Sequence, residues 1–141
     1  MRILGIDFGE KRIGLALSDP LGFTAQGIET IPHEGIGFLL ERLLRISKEH
    51  GVGEAVIGLP VNMNGSVGPK AKEVLEFASQ LEKTLGVPVS TWDERLTSRQ
   101  VERLMDEEGF SSAKKRKRTD RLAAVLILQS YLDSQRNRGK S

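Results

Sequence analysis

Residues 2–8, RILGIDF, constrain the fold more than any other segment. Apolar side chains fall on both odd and even positions, which in a strand point to opposite faces, so a strand here is buried on both sides. Such a strand belongs in the middle of a sheet that is covered twice. Gly9, Glu10 and Lys11 read as a tight turn, and RIGLALS (12–18) resumes as a second strand, pairing with the first as an antiparallel hairpin. Asp19, Pro20 and Gly22 mark another turn, and TAQGIETI (24–31) gives a third, less apolar strand.

From residue 36 the period changes. Ile36, Leu39, Leu40, Leu43 and Ile46 recur on one helical face, which predicts a helix over 36–49 with Gly51 as its stop. EAVIGL (54–59) is a buried fourth strand, reached by a parallel crossover. A loop over 60–68 leads to Pro69, which suits the first turn of a helix ending near Leu85. VPVSTW (87–92) is a fifth strand, and Pro88 assigns it to the sheet edge. Thr97 and Gln100 have capping-box spacing for a helix running to about Glu108. The basic segment 111–118 has little apolar content and reads as a mobile loop. The last helix, about 120–135, is apolar nearly all round, and a polar tail from Arg136 is expected to fray. The expected fold is α/β: one five-stranded mixed sheet, its first three strands antiparallel, with helices on both faces. The fourth strand lies beside the first and the fifth outside it, which is an RNase H-like arrangement, and all 141 residues form one domain.

Composition narrows the chemistry. Apolar residues make up 38% of the chain and charged residues 28%, as in a globular protein. There is no cysteine, which excludes a disulfide framework, a thiolate metal site and a cysteine nucleophile. The two histidines, His33 and His50, are scattered and read as solvated. A metal would therefore be held by carboxylates, and hard oxygen donors point to Mg²⁺ or Mn²⁺. No apolar run reaches the roughly 20 residues that cross a bilayer. Asp7 comes too early for a signal peptide, so the expected location is cytoplasmic, with no membrane partner.

Four acids stand out. Asp7 interrupts an apolar strand, where a lone carboxylate is costly unless paired or metal-bound; a turn-capping role is the alternative. Asp93 and Glu94 follow the fifth strand, and strand alternation lets only one of them face a given site. Asp120 opens the last helix, where an acid is also favoured as a cap and by the macrodipole. An acid on a central strand, one after a parallel strand and one on the last helix can meet at one end of the sheet. Two Mg²⁺ ions about 3.5–4 Å apart would neutralise such a cluster and activate water against a phosphodiester. Lys11, Arg12, Arg95 and Arg99 lie near these acids in sequence. Lys114, Lys115, Arg116, Lys117 and Arg118 form an unbroken cationic run; a solvated loop is the alternative, but five contiguous cations just before Asp120 are better suited to grip a phosphate backbone. The single tryptophan, Trp92, is either core packing or a stacking platform.

GIDFGEKRIGLALSD (5–19), GLPVNMNGSVGPKA (58–71), WDERLTS (92–98) and TDRLAAVLILQSYLD (119–133) together resemble the YqgF, or RuvX, family, in order and over nearly the whole chain. The resemblance implies an RNase H-like fold related to the RuvC-type resolvases. It also implies a bacterial nuclease that trims the 5′ end of pre-16S ribosomal RNA in ribosome biogenesis. The implied catalytic and metal-binding acids are Asp7, Glu94 and Asp120, with Asp93 as second choice for Glu94. Asn62, Asn64, Gly65 and Ser66 in the 60–68 loop belong to the same pattern and offer donors to phosphate. The expected partner is structured nucleic acid, pre-16S rRNA or branched DNA, with room for a ribosome-associated partner, and the protein is expected as a monomer or weak homodimer.

Three other readings share some of these residues. A Holliday-junction resolvase acting on DNA uses the same acids and metals. A non-catalytic nucleic-acid-binding protein in transcription or ribosome assembly uses only the cations. Asp7-Phe8-Gly9 also fits the Asp-x-Gly phosphate hairpin of the actin and sugar-kinase group, but those proteins close two such domains on a nucleotide and this chain has room for one.

Overall fold

A computed structural model describes residues 1–93 and the helix over 112–139, with side chains described over 1–93 and 122–136. The elements are β1 (Arg2–Phe8), β2 (Arg12–Ser18), β3 (Ala25–Pro32), α1 (Ile36–His50), β4 (Val52–Leu59), α2 (Pro69–Leu85), β5 (Val89–Asp93) and α3 (Ser112–Gly139). The five strands form one sheet in the order β3-β2-β1-β4-β5. β1, β2 and β3 pair antiparallel, while β4 joins β1 and β5 joins β4 in parallel. This is the RNase H-like sheet expected from the sequence, with β5 at the edge. The C-terminal ends of β1, β4 and β5 therefore share one edge of the sheet, and the start of β2 lies there too.

Each face of the sheet carries its own core. Leu4, Ile6, Ile13, Leu15, Ile31 and Ile57 on one face pack under Leu39, Leu43, Val74, Phe77 and Leu81 of α1 and α2. Ala16 and Val56 on the other face pack under Ala124, Ile127, Leu128, Tyr131 and Leu132 of α3. This is the two-sided burial that the apolar run of β1 requires. α1 and α2 each end on a glycine in the left-handed conformation, Gly51 and Gly86.

α3 sits very close to β1. A Cβ added at Gly5 would come within 2.7 Å of the Leu128 Cβ and 3.2 Å of the Ala124 carbonyl oxygen. Glycine is thus what lets the helix rest on the strand backbone. Next to Leu128 on the helix, Gln129 bonds the start of β3. Its Oε1 accepts from the Ala25 N–H at 2.9 Å, and its Nε2 donates to the Phe23 carbonyl at 3.0 Å. Ala25 pairs with Ser18, whose hydroxyl accepts from the Ile3 N–H at 2.8 Å. Passing from Gln129 to Ala124, the helix thus moves from the Ile3 end of β1 towards its C-terminal end.

The last helix is longer than the sequence suggests. Its backbone is continuous from Ser112, so Lys114, Lys115, Arg116, Lys117 and Arg118 lie on helix rather than in a loop. Low apolar content misled that expectation. Ala, Lys and Arg are good helix formers, no Gly or Pro interrupts residues 112–138, and the buried stretch beyond Leu122 provides the nucleus. The helix continues past Arg136 to Gly139, and the Arg136 guanidinium bonds the Asp133 carboxylate and sits 5.4 Å from the Phe23 ring centroid. The expected helix ending near Glu108 lies outside the described residues.

Candidate active site at the C-terminal edge of the sheet

Asp7 is the next-to-last residue of β1 and is half-buried. Side chains alternate along β1, so Asp7 shares a face with Gly5, the face that α3 covers. Its partner across β2 is Gly14. On β4 the neighbouring position is Gly58, which follows Ile57, the partner of Ile6. Gly14 and Gly58 themselves add no side chain at these two positions. Sequence reading missed Gly14 and Gly58 as neighbours of Asp7. The available signal was a glycine inside an otherwise apolar strand, which often marks the close approach of a ligand or another backbone.

Gly9 fixes the turn that follows. Its N–H donates to the Arg12 carbonyl at 3.0 Å, and a Cβ there would lie 2.4 Å from that same oxygen. Lys11 is exposed on this turn and Arg12 opens β2, so both stand at the Asp7 edge. Glu10 pairs with Lys70 of α2 at 3.5 Å. His33 is not simply solvated: it is half-buried, edge-on to Phe8 at 5.4 Å between centroids, and its Nδ1 accepts from the Gly35 N–H.

Asp93 is the last residue of β5 and is exposed. It pairs with Leu59, which packs on the α1–α2 side of the sheet. Trp92, one residue earlier, packs on the α3 side against Tyr131, with centroids 5.9 Å apart and planes at 86°. The tryptophan is thus core packing, not a stacking platform. Asp93 therefore stands on the face opposite to Asp7. Glu94, Arg95 and Arg99 lie outside the described residues.

The Asp120 backbone lies on α3, one turn or about 6 Å towards the N-terminus from Ala124. Asp7 lies two residues, about 7 Å, beyond Gly5 in the same direction. Since Ala124 rests on Gly5, these two positions advance together towards the same edge. The run 114–118 continues α3 in that direction, past the end of β1.

Asn62 lies in the 60–68 loop that leaves the same edge from β4. The loop is laced to itself. The Asn62 Nδ2 donates to the Ser66 hydroxyl at 2.9 Å, and Asn64 Oδ1 accepts from the Ser66 N–H at 3.0 Å and from its hydroxyl at 2.6 Å. The backbone N–H groups of Asn62 and Gly65 bond Ser66 and Asn62 carbonyls within the loop. Most of the donors expected to face phosphate are thus turned inward, and Asn62 keeps the second hydrogen of its amide.

Among the described residues no group of three or more His, Asp or Glu side chains is placed to hold a metal ion. The donor set expected at this edge, carboxylate oxygens in a chain without cysteine, has the chemistry of a hard divalent cation.

The sequence profile of RuvX, described as a Holliday junction resolvase, matches residues 1–134. A protein named "Putative pre-16S rRNA nuclease" in Pelotomaculum thermopropionicum is 50% identical over 136 residues, 96% of this chain and 88% of its own. A relative of the same name in Clostridium novyi is 48% identical over 134 residues, 95% of this chain and 99% of its own. In three dimensions the chain is similar to T. thermophilus RuvC bound to a Holliday junction, at a TM-score of 0.62 and 15% identity over 96% of each chain. It is also similar to the fowlpox virus Holliday junction resolvase, at a TM-score of 0.58 and 13% identity over 95% of this chain and 99% of that one. At such identities the two structures speak for the fold. The profile and the relatives, which span nearly the whole sequence, speak for descent: the chain belongs to the RuvX family.

Proposed function

We propose that this protein is a divalent-metal-dependent nuclease that cuts phosphodiester bonds in structured RNA, with the 5′ end of pre-16S rRNA as its substrate and the cytoplasm as its place of action. The substrate follows from relatives of that name at about half identity over nearly the full chain. No helix among the described residues is long and apolar enough to cross a membrane. One nuclease domain over 1–141 is sufficient for the reading.

The observation that carries the reading is Asp7, an acid flanked by glycines at the edge where the parallel strands end. Ligands of open α/β sheets collect at that edge. We assign Asp7, Glu94 and Asp120 as the metal-binding and catalytic acids. Support for Glu94 over Asp93 is that Asp93 stands on the α1–α2 face, opposite to Asp7. Support for Asp120 is the shared advance of α3 and β1 from their contact at Gly5. A divalent cation held by these carboxylates, Mg²⁺ or Mn²⁺, supplies Lewis acidity at the phosphate and an acidified water. The protein's part is to hold the acids on rigid elements and the substrate against them. Lys11, Arg12, Arg95, Arg99 and the run 114–118 neutralise phosphates on either side of the cut, and Asn62 adds a neutral donor.

The test is cleavage of a pre-16S rRNA fragment and of a four-way DNA junction, each with Mg²⁺ and with EDTA. Metal-dependent trimming of the RNA is expected, and Asp7→Asn should lower the rate at least about a hundredfold with binding retained. Cutting of the junction alone would make the protein a resolvase. Parental cleavage by Asp7→Asn would remove the acids from the mechanism, and binding without any cutting would leave a non-catalytic RNA-binding protein.

A further inference from the structure

Tyr131 of α3 reaches two strands of the sheet through directional interactions. It is buried, at 8% exposure, in the core under α3. Its hydroxyl donates to the Glu54 carboxylate on β4. Its ring meets Trp92 on β5 edge to face. Burial first, and the Glu54 carboxylate second, hold the phenol above its ordinary value near 10, so the hydroxyl stays protonated and donates.

The remaining side chains of α3 in this core, Ala124, Ile127, Leu128 and Leu132, are apolar. Apolar burial is non-directional and tolerates sliding or rolling of a helix. A hydroxyl bonded to a carboxylate and an edge-to-face ring pair do not, because both weaken steeply with angle. Tyr131 thus keys α3 to β4 and β5 together. Asp120 lies on that same helix, three turns away, and Glu94 lies two residues beyond Trp92. We infer that Tyr131 is a positioning residue for the metal site: through Glu54 and Trp92 it sets how α3 seats on the sheet, and so the spacing between Asp120 on α3 and Asp7 on β1. The inference rests on the metal-nuclease reading and adds to it a residue remote from the reacting atoms.

A packing role alone would be served equally by phenylalanine, and this separates the two. Tyr131→Phe keeps the ring and its packing on Trp92 but removes the hydroxyl. Mn²⁺ titrations by calorimetry, and by the fluorescence of Trp92, the single tryptophan, read metal binding without reference to activity. Tyr131→Phe should weaken Mn²⁺ binding about three- to tenfold, as expected when a hydrogen bond to a charged group is removed and its effect is transmitted in part. Glu54→Ala should do the same without touching the aromatic pair. Glu54→Gln, which still offers an oxygen acceptor, should restore parental affinity. Parental Mn²⁺ affinity in both Tyr131→Phe and Glu54→Ala, with only a lowered melting temperature, would overturn the positioning role and leave the metal reading intact. Absence of Mn²⁺ binding in the parent protein would overturn the metal reading and the positioning role with it.

Discussion

Asp7 and Gly5 stand two residues apart on one face of β1 and do opposite things to the chain. Asp7 introduces a charge where the strand would otherwise be apolar. Gly5 removes a side chain so that α3 can rest on the backbone, with Leu128 and Ala124 inside the distance a Cβ would need. Both residues were visible in the sequence as breaks in an apolar run. Their relation was not, because the partner of Gly5 lies more than a hundred residues away. Gly5→Ala forces α3 outward against a close-packed core and should destabilise the protein by about 1–3 kcal/mol in urea or guanidinium unfolding. Stability equal to the parent would mean that α3 settles without strain.

At the scale of elements, the described part of α3 rests on β1 at Gly5 and on β2 at Ala16, and is bonded to β3 through Gln129 and to β4 and β5 through Tyr131. Gln129 also donates to Asp133 at 3.0 Å on its own helix. Gln129→Leu is close in size but cannot answer the Ala25 N–H or the Phe23 carbonyl. It should cost about 1–3 kcal/mol, as for a partly buried polar group left without its partner, and should speed exchange of the Ala25 amide. Unchanged exchange at Ala25 would show that water replaces the side chain freely. The start and type of each strand were legible from apolar parity and turn residues. The start of α3 was not, since a highly charged segment was judged by its lack of a core face, whereas its helix propensity and its attachment to a buried helix decide its backbone.

For the whole molecule, the formal charge is only +2, and the arrangement of charge matters more than its sum. The cations 114–118 extend α3 past the end of β1, on the side to which Asp7 and the Asp120 backbone advance. Neutralising Lys114 to Arg118 with glutamine should weaken RNA binding and flatten its dependence on salt, by about 0.7 in log–log slope for each single-strand phosphate that is no longer neutralised. A slope equal to the parent's would make the run an ordinary solvated surface. The sequence by itself determined the sheet, its strand order and its double covering, because apolar periodicity and turn chemistry are local properties of the chain. It also carried the family. It did not determine that Asp93 stands on the face opposite to Asp7, nor that Gly14 and Gly58 are the cross-strand neighbours of that acid, nor the attachment of Tyr131 to two strands. Those depend on register between strands and on where α3 settles, which are fixed only when distant segments pack together and their side chains must share one volume.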